Sequence, residues 1–89
     1  MIDQDLEIVN KLGLHARAAA KFVSCASGFS SEIIVEKKGQ KVNGKSIMGV
    51  MMLAASKGTH IKVQIAGSDE EIALQALKTL VGNCFGEPE

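Results

Sequence analysis

The residue best placed to do chemistry is His15, one of only two histidines in a chain of 89 residues. It follows a turn that contains Gly13 and opens the alanine-rich segment HARAAAKFVSCAS, in which apolar residues recur at helical spacing. The first turn of a helix has backbone N–H groups without intrahelical acceptors and carries the positive end of the helix dipole, so anions bind there. A histidine at this position can take up a phosphoryl group, and the free backbone N–H groups beside it can bind the phosphoryl oxygens.

Three further residues complete this candidate site. Arg17 lies in the same first turn and adds a permanently charged donor. The backbone amides of Ala16 and Ala18 are candidate donors to a phosphate, and an unprotonated imidazole nitrogen of His15 is the nucleophile that the transfer requires. The alternative is that His15 is an ordinary helix N-cap on a surface turn. The local pattern alone does not decide between these two interpretations.

A second candidate site begins at Ser46, which precedes a short apolar helix predicted over residues 47–53. As an N-cap, a serine contributes about 1 kcal/mol to helix stability, and a phosphate on it would lie over the helix N-terminus. The helix contains many large apolar side chains, of which we expect one or two to stay exposed and meet partners: Ile47, Met48, Met51 and Met52. A methionine-rich helix buried in the core fits the same pattern equally well.

Composition excludes several classes of function. Ten basic and ten acidic residues give a formal net charge of zero, which argues against a nucleic-acid-binding protein. Cys25 and Cys84 lack the spacing of metal ligands, and we expect them to be reduced and buried. The acidic, alternating N-terminus is not a signal peptide, and the apolar run 47–55 is too short to span a bilayer. No cofactor, metal site or membrane insertion is therefore predicted, and we expect a cytoplasmic protein.

Hydrophobic periodicity predicts a single domain, residues 1–89, with the element order β-α-β-β-α-β-α. Apolar residues alternate with polar ones in the four strands, predicted around residues 2–8, 32–37, 41–43 and 61–65. The expected fold is α+β, a two-layer open-faced sandwich in which three helices cover one face of a four-stranded, mainly antiparallel sheet. The last helix is predicted to start with a capping box of Ser68 and Glu71, and its apolar stripe is predicted as Ile72, Ala76, Leu77, Leu80, Val81 and Cys84.

Two segments of the chain resemble motifs of a known family. Residues 10–17, NKLGLHAR, are similar to the active-site stretch of HPr, the histidine-containing phosphocarrier of the bacterial phosphoenolpyruvate-dependent sugar phosphotransferase system. Residues 43–51, NGKSIMGVM, are similar to the regulatory-serine region of that family. The length, the element order and the glycine-rich turns also match, so the resemblance covers essentially the whole chain.

The resemblance implies a carrier of phosphoryl groups that is not itself an enzyme. Such a protein accepts a phosphoryl group from phosphorylated enzyme I and hands it to IIA domains. The resemblance assigns the acceptor to Nδ1 of His15 and the stabilisation of the phosphate to Arg17. The exposed part of the apolar helix after Ser46 is expected to contact the partners through Ile47, Met48 and Met51. The resemblance also implies that an HPr kinase/phosphorylase modifies Ser46 and so slows the charging of the histidine. We expect the protein to be a monomer.

One position departs from the family pattern, and three other functions stay open. The family usually has proline after His-Ala-Arg, where this chain has Ala18. Proline pre-sets the first helical turn, so Ala18 is expected to loosen it slightly and to affect the rate of transfer. The alternatives are the nitrogen-related paralogue of the family, a mainly regulatory relay, and an interaction module in which His15 does no covalent chemistry.

Overall fold

Four strands form one sheet in the computed structural model, which describes residues 1–89. The strands are β1 (Ile2–Glu7), β2 (Glu32–Lys37), β3 (Gln40–Asn43) and β4 (His60–Ala66). They lie in the order β1-β4-β2-β3, and all three neighbouring pairs are antiparallel. The predicted four-stranded sheet is confirmed.

The sheet has one buried and one exposed face because its apolar residues alternate and stand opposite one another. Val35 pairs with Val63 and Ile33 with Ile65, and each of these side chains is at most 1% exposed. The residues that alternate with them in β4 face the other side of the sheet, where Lys62 is exposed and Gln64 is half-buried. Apolar pairs on the same face pack against each other and against the helices that cover them, so the register follows from the pattern.

Three helices cover the buried face, which confirms the predicted fold and element order. They are α1 (Ala16–Ser27), α2 (Ile47–Met52) and α3 (Glu70–Gly82), followed by a short 3₁₀ turn at Cys84–Gly86. The buried face of α1 combines small alanines with Phe22, which with Phe85 is among the largest fully buried side chains. None of the helices has the length and apolar character needed to cross a membrane.

The predicted start of α3 is wrong, and its predicted apolar stripe is correct at Leu77 and Val81 but wrong at Ile72. Asp69, not Ser68, is the N-cap residue, and the predicted Ser68–Glu71 capping box does not form. Instead Oε1 of Glu70 accepts a hydrogen bond from the backbone N–H of Gly67 (3.2 Å). The buried residues of the helix are Ala73, Leu77 and Val81, whereas Ile72 is 65% exposed. Neighbouring helical residues point about 100° apart, so only one of the two can face the sheet. The smaller Ala73 occupies that position.

The two cysteines are free, as predicted, but they are half-buried and not fully enclosed. Cys25 packs against the core without belonging to it. Burial raises the pKa of the Cys25 thiol, which keeps it in the unreactive protonated form.

A polar contact joins the loop after α1 to the start of α3. The Asp69 carboxylate accepts hydrogen bonds from the backbone N–H groups of Ser30 (2.8 Å) and Ser31 (3.0 Å) and from both hydroxyls. The Ser31 hydroxyl, followed by the Ser30 N–H, lowers the pKa of Asp69 to about 2, because both bonds favour the charged form. The ionised carboxylate therefore stabilises the folded chain.

We predict that Asp69→Asn lowers the Tm at neutral pH, and that the difference from the unchanged protein shrinks in acid. The carboxyl pKa is depressed in the folded state, so its contribution is present above the ordinary value of 3.8 and is lost as the pH falls through about 2. Thermal unfolding between neutral pH and the acid limit of folding measures this. Glu71→Gln, which removes a charge from the same helical turn, is the control. A Tm difference independent of pH would contradict the prediction.

Candidate functional site

The turn before α1 depends on a close approach that only glycine allows. Gly13 has φ +67°, and a Cβ atom there would collide with the carbonyl oxygen of Ala55 and lie 2.9 Å from Cα of Ser56. The next N–H, that of Leu14, donates to the Ala55 carbonyl (2.8 Å), and the Leu14 side chain is buried. The turn is thus fixed against residues 55–56, and it delivers the following residue, His15, to the start of α1.

His15 is the N-cap residue of α1, but its side chain makes no capping hydrogen bond. Its backbone is extended (φ −73°, ψ 179°), and its carbonyl accepts the first helical hydrogen bond, from Ala19 N–H (2.8 Å). The three preceding amides, of Ala16, Arg17 and Ala18, therefore lack an intrahelical acceptor. The ring is 29% exposed. The N-cap interpretation holds for the backbone, while the imidazole stays available for chemistry.

The other predicted residues of this site lie around the ring. Arg17 is exposed, and no carboxylate lies within ion-pair distance of it. Ala16 is also exposed, whereas the Ala18 side chain is fully buried. The structure brings a nucleophilic ring, free amides and an unpaired guanidinium together at one helix end.

Glu87 is the site residue that the sequence analysis missed. Its Oε2 lies 2.5 Å from Nε2 of His15, and its Oε1 accepts a hydrogen bond from Nδ2 of Asn10 (3.0 Å). These bonds, first that from Asn10 and then that from His15, lower the pKa of the Glu87 carboxyl. Glu87 and His15 are 72 positions apart in the chain. No local sequence pattern could link the two residues. The only available signal was the presence of acidic residues near the end of the chain.

The C-terminal segment is held in place by contacts on both sides. Nζ of Lys21 donates to the carbonyl of Phe85 (2.7 Å), whose side chain is fully buried, and Lys11 N–H donates to the carbonyl of Glu89 (3.0 Å). A shallow, open depression results, with the turn and α1 on one side and the C-terminal segment on the other. It is lined by Lys11, Leu12, His15, Ala16, Arg17, Glu87, Pro88 and Glu89.

Ser46 is the N-cap of α2, as predicted, and its Oγ accepts a hydrogen bond from Gly49 N–H (3.1 Å). The expectation that only one or two large apolar side chains of this helix stay exposed is wrong. Because α2 has only six residues and buries only Val50, the remaining large side chains face outward. The α2 apolar surface comprises Ile47 (45% exposed), Met48 (70%), Met51 (39%) and Met52 (65%). Leu12, in the turn before His15, is also 66% exposed, which the sequence analysis did not predict.

Comparison with known proteins gives a consistent result. A family model described as PTS HPr component phosphorylation site matches residues 2–83. The phosphocarrier protein HPr of Neisseria meningitidis serogroup A is 56% identical over 89 residues, covering 100% of both chains. The crystal structure of HPr-C-His from Thermoanaerobacter tengcongensis is similar with a TM-score of 0.96, at 53% identity and 100% coverage of both chains. An HPr dimer from the same organism matches with a TM-score of 0.79, at 54% identity, over 98% of this chain and 100% of that one.

We predict that Gly13→Ala disturbs the His15 turn much more than Gly58→Ala disturbs its own. Both glycines have positive φ, and an alanine there costs roughly 1–2 kcal/mol of stability. Only at Gly13 does the added Cβ meet backbone, which adds about 1–3 kcal/mol, whereas nothing lies within 4 Å at Gly58. Denaturant unfolding of both variants measures the difference, and amide NMR shifts of residues 14–18 should report it locally. Equal destabilisation would contradict the collision.

Proposed function

The chain belongs to the HPr family of phosphocarrier proteins, and we propose that it carries a phosphoryl group on His15 from phosphorylated enzyme I to IIA domains. Enzyme I would obtain that group from phosphoenolpyruvate, and the IIA domains would use it in sugar uptake. The observation that carries the proposal is the position of the His15 ring. The ring is partly exposed, does not cap the helix, and lies beside helix amides that have no intrahelical acceptor. We also propose that residues 1–89 act as a single phosphocarrier domain in the cytoplasm.

The proposed transfer uses the ring as a nucleophile. The lone pair of Nδ1 of His15 forms a bond to phosphorus while the bond between phosphorus and the donor histidine breaks, and that electron pair returns to the donor ring. Arg17 and the amides of Ala16 and Ala18 bind the oxygens of the moving group. Such reactions depend mainly on positioning and on electrostatic stabilisation, which these donors would supply.

An open site suits a carrier because the phosphoryl group must leave as well as arrive. Arg17 is exposed and has no carboxylate partner, so its side chain can move toward the phosphate when the phosphate arrives and away from it when the phosphate leaves. The depression around His15 is shallow, which leaves the phosphoryl group accessible to an acceptor. We propose that each partner completes the site with its own groups and excludes water while it is bound.

The α2 apolar surface supports the proposed contact with partners. Ile47, Met48 and Met51 are exposed, and methionine side chains adapt their shape to different surfaces. Enzyme I and IIA domains would therefore use this surface one at a time. We propose that the protein acts as a monomer in these encounters, and sedimentation at working concentration tests this, since a relative has been crystallised as a dimer.

We further propose that an HPr kinase/phosphorylase regulates the carrier by phosphorylating Ser46. The Ser46 hydroxyl lies at the start of α2, next to the α2 apolar surface. A phosphate there carries about −1.5 to −2 charges at neutral pH and would be desolvated when a partner covers the surface. The modification would thus slow the charging of His15 without touching the ring.

Three alternative functions are separated by simple observations. A nitrogen-related paralogue or a mainly regulatory relay would also be phosphorylated on His15, and the IIA protein that accepts the group would distinguish it from a sugar carrier. An interaction module is favoured only by the α2 apolar surface, whose exposure does not depend on His15. Such a module would bind partners equally well when His15 is replaced by alanine and would take up no phosphoryl group.

We predict that His15→Ala abolishes acid-labile labelling by enzyme I and phosphoenolpyruvate, because no other side chain combines a ring nucleophile with helix amides. His60→Ala is the matched control, since His60 is exposed and contacts only Asp5 on the sheet (2.7 Å). It should label like the unchanged protein. Acid-labile phosphate on the His15→Ala variant at the normal level would refute the proposed acceptor.

We predict that Ser46→Asp slows charging by phosphorylated enzyme I by about tenfold or more, because a negative charge beside an apolar contact is costly to desolvate. The measurement is the initial rate of labelling at low concentration of the carrier. Ser68→Asp, which adds the same charge in the exposed connection between β4 and α3, should charge at the normal rate. Equal slowing in the two variants would point to net charge and not to the α2 apolar surface.

A further inference from the structure

We propose that Glu87 is a positioning residue for His15, which holds the proton of the ring on Nε2 and so presents Nδ1 as the atom that takes the phosphoryl group. The proposal rests on the proposed phosphocarrier function and adds a role for the C-terminal segment. Its starting observation is the contact of 2.5 Å between Oε2 of Glu87 and Nε2 of His15.

The direction of this hydrogen bond follows from the state of the carboxyl group. An ionised carboxylate only accepts hydrogen bonds, so the proton must belong to the ring. The pKa of Glu87 is lowered, first by the hydrogen bond from Asn10, and the carboxyl is therefore ionised at neutral pH. A neutral imidazole has a single N–H, and with that proton on Nε2 the other nitrogen, Nδ1, has a free lone pair.

Asn10 fixes the orientation of the carboxylate. Its side chain is fully buried, and its Nδ2 donates both to the Gly13 carbonyl (2.8 Å) and to Oε1 of Glu87 (3.0 Å). The opposite amide orientation would place Oδ1 against two other acceptors, so the orientation is determined by its neighbours. In this arrangement Oδ1 of Asn10 is buried and has no hydrogen-bond partner, which costs stability. A residue that served only to fill space would not need this polar group. Asn10 thus joins the His15 turn to the C-terminal segment.

The contact also balances charge during the transfer. When the Nδ1 lone pair bonds to phosphorus and the donor's N–P bond breaks, the ring of His15 keeps its proton on Nε2 and becomes positively charged. A carboxylate on that proton stabilises the charged ring, as the aspartate of a hydrolase triad stabilises its imidazolium. The protonated ring is also the better leaving group when the acceptor attacks phosphorus. Glu87 therefore assists both charging and delivery without touching the phosphoryl group.

The test uses the full chain and the variant Glu87→Gln, which keeps the size of the side chain and removes its charge. Ring ¹⁵N NMR of the unphosphorylated protein, at a pH where the ring is neutral, should show mainly the Nε2–H tautomer in the unchanged protein and a mixed population in the variant. Charging by phosphorylated enzyme I should be about tenfold slower in the variant, the lower end of the loss seen when the hydrogen-bond partner that orients a metal-ligating histidine is removed. Glu87→Asp, which keeps the charge on a shorter side chain, should recover part of both signals.

Glu71→Gln is the matched control, because it makes the same substitution at an exposed position in the first turn of α3, outside the depression around His15. It should leave the tautomer and the charging rate unchanged. An unaltered tautomer and rate in Glu87→Gln would overturn the proposal. Because the tautomer is read without phosphate, a protein that shows the tautomer shift but is never charged would refute the proposed function and leave the positioning of the ring intact.

Discussion

The site depends on the unsatisfied backbone N–H groups at the start of α1. Every helix has such groups, and proteins usually satisfy them with a capping side chain or water. Here the N-cap residue is His15, whose side chain does not cap the helix, so the amides remain available beside a nucleophilic ring. The local positive potential and the ring are therefore inseparable, because one turn of backbone supplies both.

Holding that turn in place requires contacts from distant parts of the chain. Gly13 permits the close approach to residues 55–56, and the buried Asn10 links the turn to the C-terminal segment through Glu87. The sheet supplies the rigid base, because its apolar face is covered by all three helices. A small fold can thus orient a reactive ring without a deep cleft. The backbone of the turn and the hydrogen bonds made by Asn10 and Glu87 determine the position of the ring.

The two candidate sites differ in how they would influence partners. At His15 the structure combines an unpaired arginine, free amides and a shallow surface, which favours reversible binding of a phosphoryl group. Ser46 is the N-cap of a six-residue helix in which only Val50 is buried and most of the large side chains are exposed. Under the proposed function, a charge added there would act on association and not on chemistry. The proposal therefore separates the reactive step from its regulation.

The sequence by itself determined the elements and located the candidate residues of the first site. Alternating residues predicted the strands, and the glycine turn before an alanine-rich helix located His15 and Arg17, because these are properties of neighbouring residues. Tertiary structure alone decided which helical side chains face inward, as Ala73 in place of Ile72 shows, and how far α2 is exposed. It also brought Glu87 to His15 across 72 positions. Periodicity indicates that a helix has an apolar face, but only packing fixes its rotation and the contacts of a distant segment.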